Sequence, residues 1–433
     1  MKSVAIIGAG AAGCFCAAQL RKWCPELKVT VFEAGPKPLA KVAITGGGRC
    51  NLTNDFQGIR SLAEAYPRGE RVMKRALKAF SQEDTIAWFQ AAGVPCVLQE
   101  DHCWFPRSQD AMDIVRCLLN AMKGVDLRLK TPVVSVEMGP EMYSASAKKY
   151  ADATAEHISG PVEPVISTER SEWRDLIMVN GEAFDYVVVT TGGAPKGLPF
   201  MEALDLELVP PVPSLFTFTV KDPALNALTG LVVNAAIGLA GTAFRADGPL
   251  LITDWGLSGP AALKLSSYAA RHLAEAGYKG TVAINWLNAS ENAVRDLLQE
   301  SAANHPQKQL STTPLGLPGR LWEHLLDKAG LRSNLRWAEL GSKGLNRLTA
   351  TLTCDAYPLS GKSRFRDEFV TAGGVALSNI NLSTLECKHY PGLYFAGEVL
   401  DIDAITGGFN LQAAWSTGYI CAHSIVAREI GKN

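Results

Sequence analysis

The sequence lacks the features that mark several classes of protein. No apolar run among its 433 residues reaches 18, so no helix that spans a membrane is expected. The apolar residues 1–10 lead directly into a glycine turn, without the basic region or cleavage site of a signal peptide. The formal net charge of −1 provides no overall positive field, which argues against a nucleic acid partner. We therefore expect a cytoplasmic protein that binds neither a membrane nor a nucleic acid.

Cysteine is present but follows no pattern. The ten cysteines include no C-x-x-C pair and no regular spacing, so neither a zinc site nor a disulfide framework is predicted. We expect reduced thiols and no bound metal. With 47% hydrophobic and 20% charged residues, the chain has the composition of a globular protein. Its length predicts two or three domains.

The first clear pattern is the segment VAIIGAGAAG at residues 4–13. Its apolar start predicts a buried parallel strand, and Gly8, Gly10 and Gly13 then match G-x-G-x-x-G. In this pattern the first glycine allows the turn, the second allows a pyrophosphate to approach, and the third lets the helix pack on the strand. The helix N-terminus offers free N–H groups to the phosphates. The alternative is a glycine-rich turn in an unrelated α/β protein.

An acidic residue follows at the expected distance. The segment KVTVFEAG predicts a second strand and ends at Glu33, twenty residues after Gly13. An acid at this distance accepts hydrogen bonds from ribose hydroxyls in dinucleotide-binding folds. The strand, helix and acid together favour a dinucleotide site over an isolated glycine turn.

Residues 35–54 read as a loop around a large extended ligand. Gly46–Gly48 allow close backbone approach, while Lys41, Arg49 and Asn51 supply hydrogen-bond donors. A solvated surface loop is the alternative. Cys50 could be a redox thiol, but a buried structural cysteine is favoured because no partner cysteine lies nearby in sequence.

A buried strand at residues 186–190 ends in Thr191, Gly192 and Gly193. The carboxyl ends of parallel strands are where such sheets bind ligands. Beyond it, residues 196–285 contain short β-branched runs, and residues 286–345 contain helical patterns. No second G-x-G-x-x-G opens a helix, which argues against a dedicated NAD(P)H domain.

The segment LYFAGEVLDIDAITGGFNLQAAWSTG at residues 393–418 predicts a strand, two glycine turns and an apolar helix. In a doubly wound sheet this strand could lie beside the first one. The amides at Asn410–Gln412 would then face the N1/C2=O edge of a flavin.

Five segments resemble one known family. They are KVAITGGGRCNLTN, FVTAGGVALSNINLSTLECK, GLYFAGEVLDIDAITGGFNLQAAWSTG, FPRSQDAMDIV and GLSGPAAL. They are similar to the bacterial NAD(P)/FAD-dependent oxidoreductases that include aminoacetone oxidase and a bile-acid dehydro-steroid reductase. The resemblance covers nearly the whole chain apart from residues 139–172.

The resemblance implies an α/β fold with a glutathione-reductase-like Rossmann FAD domain formed by both chain ends. An inserted β-barrel-like domain would carry a small helical cap. The implied boundaries are 1–195 and 366–433 for the FAD domain, 196–285 and 346–365 for the β domain, and 286–345 for the cap. Residues 139–172 would be a variable insertion.

The resemblance also implies which residues bind FAD non-covalently. The glycine turn would hold the pyrophosphate, Glu33 the ribose, and Val134 the adenine through its backbone. Gly397 and Glu398 would contact the ribityl–phosphate part, and Asn410–Gln412 the flavin. The full predicted set is Gly8, Gly10, Ala11, Ala12, Gly13, Glu33, Ala34, Lys41, Gly48, Arg49, Cys50, Asn51, Val134, Thr191, Gly192, Gly397, Glu398, Asn410, Leu411 and Gln412.

The chain departs from the family pattern at two positions, and no catalytic residue is predicted. Asp254 replaces a frequent histidine, and Ala404 a frequent glycine. Asp401 and Asp403 are acids near the flavin, although a turn or capping role is favoured. Other candidates for a substrate pocket are His102, Trp104, Asp254 and Trp255, the last two at an expected domain interface.

Flavin chemistry leaves several functions open. The favoured one is an oxidoreductase that transfers hydride through FAD to or from a small organic substrate, reducing an activated double bond, with NAD(P)H as a diffusing donor. An amine oxidase using oxygen is one alternative. A structural or sensory flavin with a partner-binding role is another. The neutral net charge and the absence of a basic stripe argue against a tRNA-modifying flavoprotein. Substrate and oligomeric state are left open.

Overall fold

The computed structural model describes residues 1–139, 176–193, 199–362 and 370–431. The predicted insertion at 139–172 lies outside these ranges apart from residue 139. The chain folds into two compact units, Met1–Val212 with Val370–Asn433, and Pro213–Phe369. The division therefore falls after Val212, not after residue 195 as the resemblance implies.

The strands and helices of the described residues are numbered in chain order. The strands are β1 Ser3–Ile7, β2 Lys28–Phe32, β3 Thr53–Asn54, β4 Cys96–Leu98, β5 Cys103–Pro106, β6 Asp126–Arg128, β7 Val136–Met138, β8 Ile177–Val179, β9 Glu182–Phe184, β10 Tyr186–Val189, β11 Leu208–Ser214, β12 Phe218–Val220, β13 Val232–Leu239, β14 Arg245–Thr253, β15 Gly256–Ser258, β16 Gly280–Asn285, β17 Asp355–Lys362, β18 Val370–Val375 and β19 Leu393–Phe395. The helices are α1 Ala11–Trp23, α2 Ala40–Gly48, α3 Leu62–Ala65, α4 Glu70–Ala79, α5 Gln82–Ala91, α6 Ala111–Ala121, α7 Pro199–Ala203, α8 Pro223–Asn226, α9 Gly259–Tyr268, α10 Ala270–Glu275, α11 Glu291–Asn304, α12 Gly319–Lys328, α13 Gly341–Thr353 and α14 Phe409–Ile430.

The first unit is built on a parallel sheet with strand order β19-β10-β1-β2-β6. The four residues 4–7 of β1 are buried, as a strand covered on both faces requires. The prediction that the late strand lies beside β1 was wrong. β10 lies between them, with Val4 opposite Tyr186 and Val187 opposite Leu393. β1 already has both of its edges paired, with β2 and β10, so the late strand extends the sheet beyond β10.

The two ends of the chain meet through their helices. α1 packs along α14, and both helices are buried along most of their length. A Cβ atom at Gly418 would lie 2.7 Å from the Ala12 carbonyl oxygen, so the two backbones approach too closely for a side chain there. The helix that follows the late strand is therefore fixed directly over the helix of the glycine turn.

Part of the predicted loop at residues 35–54 is helical. α2 covers Ala40–Gly48, but its backbone leaves helical geometry at Thr45, Gly46 and Gly47. Gly46 and Gly47 have φ values of 60° and 68°, a left-handed conformation that favours glycine. The glycines therefore serve to break the helix and to turn the chain towards β3.

The second unit contains a closed barrel with strand order β12-β15-β14-β13-β16-β17. The helices α11, α12 and α13 share its hydrophobic core, in which Trp286, Trp322 and Trp337 are almost fully buried. Asp355 is also buried there and accepts hydrogen bonds from Trp286 Nε1 (2.9 Å) and the Tyr357 hydroxyl (2.7 Å). The predicted β domain and helical cap thus form one core.

Across the described ranges, the helices are all too short or too polar to cross a lipid bilayer.

Candidate functional site

The glycine turn between β1 and α1 packs tightly on one side and is open on the other. A Cβ at Gly8 would lie 2.6 Å from the Thr190 carbonyl oxygen, and one at Gly13 would lie 2.5 Å from Thr190 Oγ1. A Cβ at Gly10, by contrast, would meet no atom within 4 Å. Gly10 caps α1, and the sequence offers no side chain to satisfy the first helix amides there. The open side of the turn is therefore a place where an anion fits.

Glu33 follows β2 and fixes the shape of this turn. Its Oε2 accepts a hydrogen bond from the Ala9 amide (2.9 Å), and its Oε1 accepts one from the Gly35 amide (2.7 Å). Gly8 N–H donates to the Phe32 carbonyl at 2.8 Å. The acid predicted to bind ribose thus lies beside the glycine turn and is half-exposed, while the adjacent Ala34 is exposed.

The carboxyl end of β10 lies against the same turn. Thr190 Oγ1 donates to the Gly8 carbonyl at 2.8 Å. The next residue, Thr191, has a buried hydroxyl without a hydrogen-bond partner in the described structure. Glu398 lies close to Gly192, accepts from the Thr371 amide at 2.8 Å, and forms an ion pair with Lys41 at 3.2 Å. Predicted residues from four separate segments are therefore neighbours at one edge of the sheet.

The segment after α2 is joined to the start of α14. The Asn51 amide, oriented to satisfy both of its groups, donates to the Thr53 carbonyl (3.0 Å) and accepts from the Gly408 amide (3.3 Å). A Cβ at Gly408 would lie 2.6 Å from the Thr53 carbonyl oxygen. Asn54 Nδ2 donates to the Gly407 carbonyl at 3.1 Å. The glycine pair before α14 is thus required by the close approach of residues 51–54.

The start of α14 corrects one predicted contact. The helix begins at Phe409, and the Gln412 amide already donates to the Gly408 carbonyl at 3.0 Å. The amides that lack a helical partner are those of Phe409, Asn410 and Leu411. Gln412 is fully buried, and its side chain accepts from Thr53 Oγ1 at 2.6 Å. Gln412 therefore joins α14 to Thr53 through its buried side chain, and its backbone amide is not available to a ligand.

Other predicted residues are more exposed. Val134 is 64% exposed, and its amide donates to Asn180 Oδ1 at 2.9 Å, which leaves the carbonyl as the group it could offer. Arg49 is exposed and lies over the Phe105 ring at 4.6 Å. Ala404 is buried in the turn before α14, where its amide and carbonyl both bond to the Asn410 side chain at 3.0 Å.

The two acids near α14 have structural partners. Asp403 is fully buried and forms a two-pronged ion pair with Arg68, whose side chain is 11% exposed. The Asp401 amide donates to the Val375 carbonyl at 3.0 Å. The sequence did not predict the role of Arg68, because no pattern near Arg68 indicates that its partner is Asp403, 335 positions further along the chain. Asp403 is thus held as the partner of Arg68.

The remaining candidates are distributed over both units. His102 is exposed and lies 3.1 Å from an Asp55 carboxylate oxygen, and the neighbouring Trp104 is partly buried in β5. Asp254 is exposed in the turn between β14 and β15, with Trp255 beside it in the second unit. In the described residues, no group of three or more His, Cys, Asp or Glu side chains is arranged to hold a metal ion.

Cys50 is buried, and burial raises its pKa far above the usual value of a thiol. Burial likewise raises the pKa of Cys96 and Cys103 to about 11. Because the thiolate is the reactive form, these cysteines are poor nucleophiles at neutral pH. The burial of these three cysteines is typical of a structural role.

The burial of the cysteines predicts how many thiols react in the folded protein. Of the ten cysteines only Cys354 is exposed, so a thiol reagent such as DTNB should label about one thiol per chain at pH 8 and ten after denaturation. A Cys354→Ser variant should remove the fast phase, whereas Cys50→Ala should leave it unchanged. Rapid labelling that is lost in Cys50→Ala would contradict the structural role.

One surface was missed at the sequence level. Arg71, Lys74, Arg75 and Lys78 lie at i, i+3, i+4 and i+7 of α4, and all four are exposed. This spacing places them on one helix face, so the statement that the chain lacks a basic stripe was wrong. The signal was present in the sequence but was masked by the neutral total charge.

The residues at the sheet edge fit an extended dinucleotide. The open side of Gly10, the unpartnered Thr191 hydroxyl and the three free amides of α14 offer donors to a polyanionic, strongly polar ligand. They lie at the carboxyl ends of parallel strands, where such folds bind nucleotides. Fold and site together define a Rossmann-type FAD-binding oxidoreductase.

Comparison with known proteins agrees with this class. The family model described as HI0933-like protein Rossmann domain matches residues 2–424. The chain belongs to this family.

Two curated relatives and one solved structure give the context. A ribosomal RNA dihydrouridine synthase of Escherichia coli (strain K12) is 31% identical over 98% of this chain and 97% of its own length. A 3-dehydro-bile acid delta(4,6)-reductase of Clostridium scindens is 26% identical over 99% of this chain and 100% of its own length. A 3-ketosteroid delta1-dehydrogenase from Sterolibacterium denitrificans superposes with a TM-score of 0.45 at 12% identity, over 99% of this chain and 100% of that one.

Proposed function

We propose that this protein reduces a carbon–carbon double bond conjugated to a carbonyl, and that its substrate is a uridine of ribosomal RNA. The observation that carries the proposal is the 31% identity to the E. coli ribosomal RNA dihydrouridine synthase over 98% of this chain. The proposal replaces the small organic substrate and the absence of a nucleic acid partner that the sequence suggested.

The chemistry of the two curated relatives supports the reaction type. Dihydrouridine differs from uridine by two hydrogens added across a double bond conjugated to a ring carbonyl. The second relative is named as a delta(4,6)-reductase of a 3-dehydro-bile acid, which also describes double bonds conjugated to a ketone. In both cases a hydride adds to one carbon and a proton to the other. Bound FAD supplies the hydride transfer.

The residues of this chain would bind and orient the cofactor. The glycine turn at residues 8–13 would hold the pyrophosphate, with Glu33 beside the ribose. The amides of Phe409, Asn410 and Leu411 would face the flavin N1/C2=O edge, where a helix N-terminus stabilises negative charge by about 0.3–1 kcal/mol. A second G-x-G-x-x-G motif is absent from the sequence, so we propose that NAD(P)H reduces the flavin as a diffusing donor.

Complementation tests the substrate. An E. coli strain without its own ribosomal RNA dihydrouridine synthase is transformed with this chain, and purified ribosomal RNA is digested for nucleoside mass spectrometry. We expect dihydrouridine to return with the wild-type chain and to remain absent with Gly10→Val, which blocks the open side of the turn. A wild-type chain that accumulates with bound FAD but restores no dihydrouridine would refute the RNA substrate.

Anaerobic spectroscopy tests the electron donor and the alternatives. We expect NADH or NADPH to bleach the flavin absorbance of the purified protein, and protein-free ribosomal RNA from the deficient strain to restore it. Bleaching followed by reoxidation with an unsaturated 3-oxo steroid but not with RNA would instead favour a small-molecule reductase. Reduction by amines with consumption of oxygen, and not by nicotinamides, would favour the oxidase.

A further inference from the structure

We propose that the exposed face of α4 binds the phosphate backbone of the RNA substrate. This inference rests on the proposed function and names a surface for it. We call Arg71, Lys74, Arg75 and Lys78 the α4 basic face. These four side chains and Leu382 line a depression on the surface of the first unit. Residues 60–78 contain six basic and two acidic side chains, although the whole chain has a net charge of −1.

The opposite side of α4 explains why the basic face is held outward. Val72, Met73 and Ala76 are buried, and α4 packs against α14. The four basic residues cannot turn inward without exposing that apolar side. Arg75 also contacts the Ser383 hydroxyl at 3.3 Å. The charges are therefore fixed on a rigid support, and their attraction to phosphates is not lost to loop motion.

The residues at the start of α4 pack against the turn that precedes α14. Arg68 pairs with Asp403, and a Cβ at Gly69 would lie 2.7 Å from the Ile402 side chain. The Tyr66 hydroxyl donates to the Phe409 carbonyl at 2.9 Å. Ten residues of helix span about 15 Å, so the whole basic face lies within that distance of this attachment.

This placement suits an enzyme that acts on a base. Such enzymes must present the base outside its stack, and phosphate contacts supply position and affinity but not sequence choice. The α4 basic face would hold the strand, while the target uridine reaches the cofactor near the start of α14. Charge complementarity thus selects a polyanion, and the proposed reaction selects RNA.

The test compares matched charge removals by salt-dependent binding. The face variant is Arg71→Gln/Lys74→Gln/Arg75→Gln/Lys78→Gln. The control variant is Lys22→Gln/Lys28→Gln/Lys123→Gln/Lys279→Gln, which removes four exposed charges elsewhere. A third variant, Arg71→Lys/Lys74→Arg/Arg75→Lys/Lys78→Arg, keeps the charge of the face. Binding to protein-free ribosomal RNA is measured by filter retention between 50 and 200 mM KCl, about a fourfold change.

Loss of four single-strand phosphate contacts has a defined signature. Since each contributes about 0.7 to the slope of log affinity against log salt, the wild type should lose about 50-fold more affinity across this range than the face variant. The control and the Lys/Arg-exchanged variants should behave as wild type. All variants should keep FAD and bleaching by the nicotinamide donor, which a folding defect would not allow.

Two results would overturn the proposal. One is a face variant with the wild-type salt slope and wild-type dihydrouridine formation, which would leave the RNA reaction intact without this surface. The other is binding of the wild type to anionic lipid vesicles through α4, with no RNA binding that depends on these residues. A reduced slope in the face variant, found together with no dihydrouridine formation by the wild type, would support the surface and refute the reaction.

Discussion

The variant Gly10→Val is expected to fold and to purify without FAD. Gly10 has φ −84° and ψ −166°, which any residue can adopt, and a Cβ there would enter open space. A valine side chain would fill the volume that a pyrophosphate needs beside the amides of α1. Overlap costing about 3 kcal/mol weakens FAD binding by about 100-fold. The apo-protein should lose no more than about 1 kcal/mol of unfolding free energy.

Gly13→Ala in the same turn is the matched contrast. Its Cβ would overlap the Gly8 carbonyl oxygen and lie 2.5 Å from Thr190 Oγ1, so overpacking should cost about 1–3 kcal/mol of stability or more. FAD titration of the apo-proteins and their urea unfolding separate the two effects. Tight FAD binding by Gly10→Val would show that the pyrophosphate does not lie at this turn.

The variant Arg68→Met is expected to destabilise the first unit by about 3–5 kcal/mol. It leaves the fully buried Asp403 carboxylate without its guanidinium partner. The turn before α14 should also become less ordered, because residues just before Arg68 hold it in place. The Ile405 amide donates to the Ala65 carbonyl at 2.9 Å, and the Tyr66 hydroxyl donates to the Phe409 carbonyl. We therefore expect weaker FAD binding as well. Urea unfolding and FAD titration measure both.

A double-variant cycle and an exposed pair serve as controls. Arg68→Met/Asp403→Asn should lose less stability than the sum of its two single variants, because the charges are removed together. Arg116→Met removes an arginine that is 58% exposed and pairs with Asp113, and no measurable change is expected because solvent screens such pairs. If the losses of unfolding free energy in the two single variants simply add in the double variant, the ion pair between Arg68 and Asp403 contributes nothing to stability.

Local sequence was sufficient where the structure depends on adjacent residues. The strand, glycine turn and helix at residues 3–23 could be predicted because each step of G-x-G-x-x-G has its own steric reason. Gly8 and Gly13 meet the packing that the motif requires, and Gly10 faces open space. Short β-branched runs also predicted a β domain in the second unit, whereas its closure into a barrel was implied only by the family resemblance. Its boundary and the core that it shares with α11–α13 were not expected.

Local sequence was insufficient where two segments distant in the chain could each occupy the same position in the sheet. Both β10 and β19 are short buried apolar strands, and nothing in either says which of them pairs with β1. The role of Gln412 depended on the first residue of α14, since a shift of one residue changes which amides are free. The i, i+3, i+4 and i+7 spacing of the α4 basic face can be seen in the sequence. The net charge of the whole chain does not reveal it, because acidic residues elsewhere cancel these charges.

The discontinuity of the first unit has a consequence for biosynthesis. The barrel unit is one continuous stretch, Pro213–Phe369, whereas α1 is covered by α14, which begins at Phe409. At about 5–20 residues per second, roughly 20–80 s of translation separate the two helices. During that time the part of the α1 surface that α14 later covers stays exposed on the nascent chain, while the inserted unit can already complete its core. Chaperone occupancy early in synthesis and cofactor loading only after α14 emerges are the expected order of events.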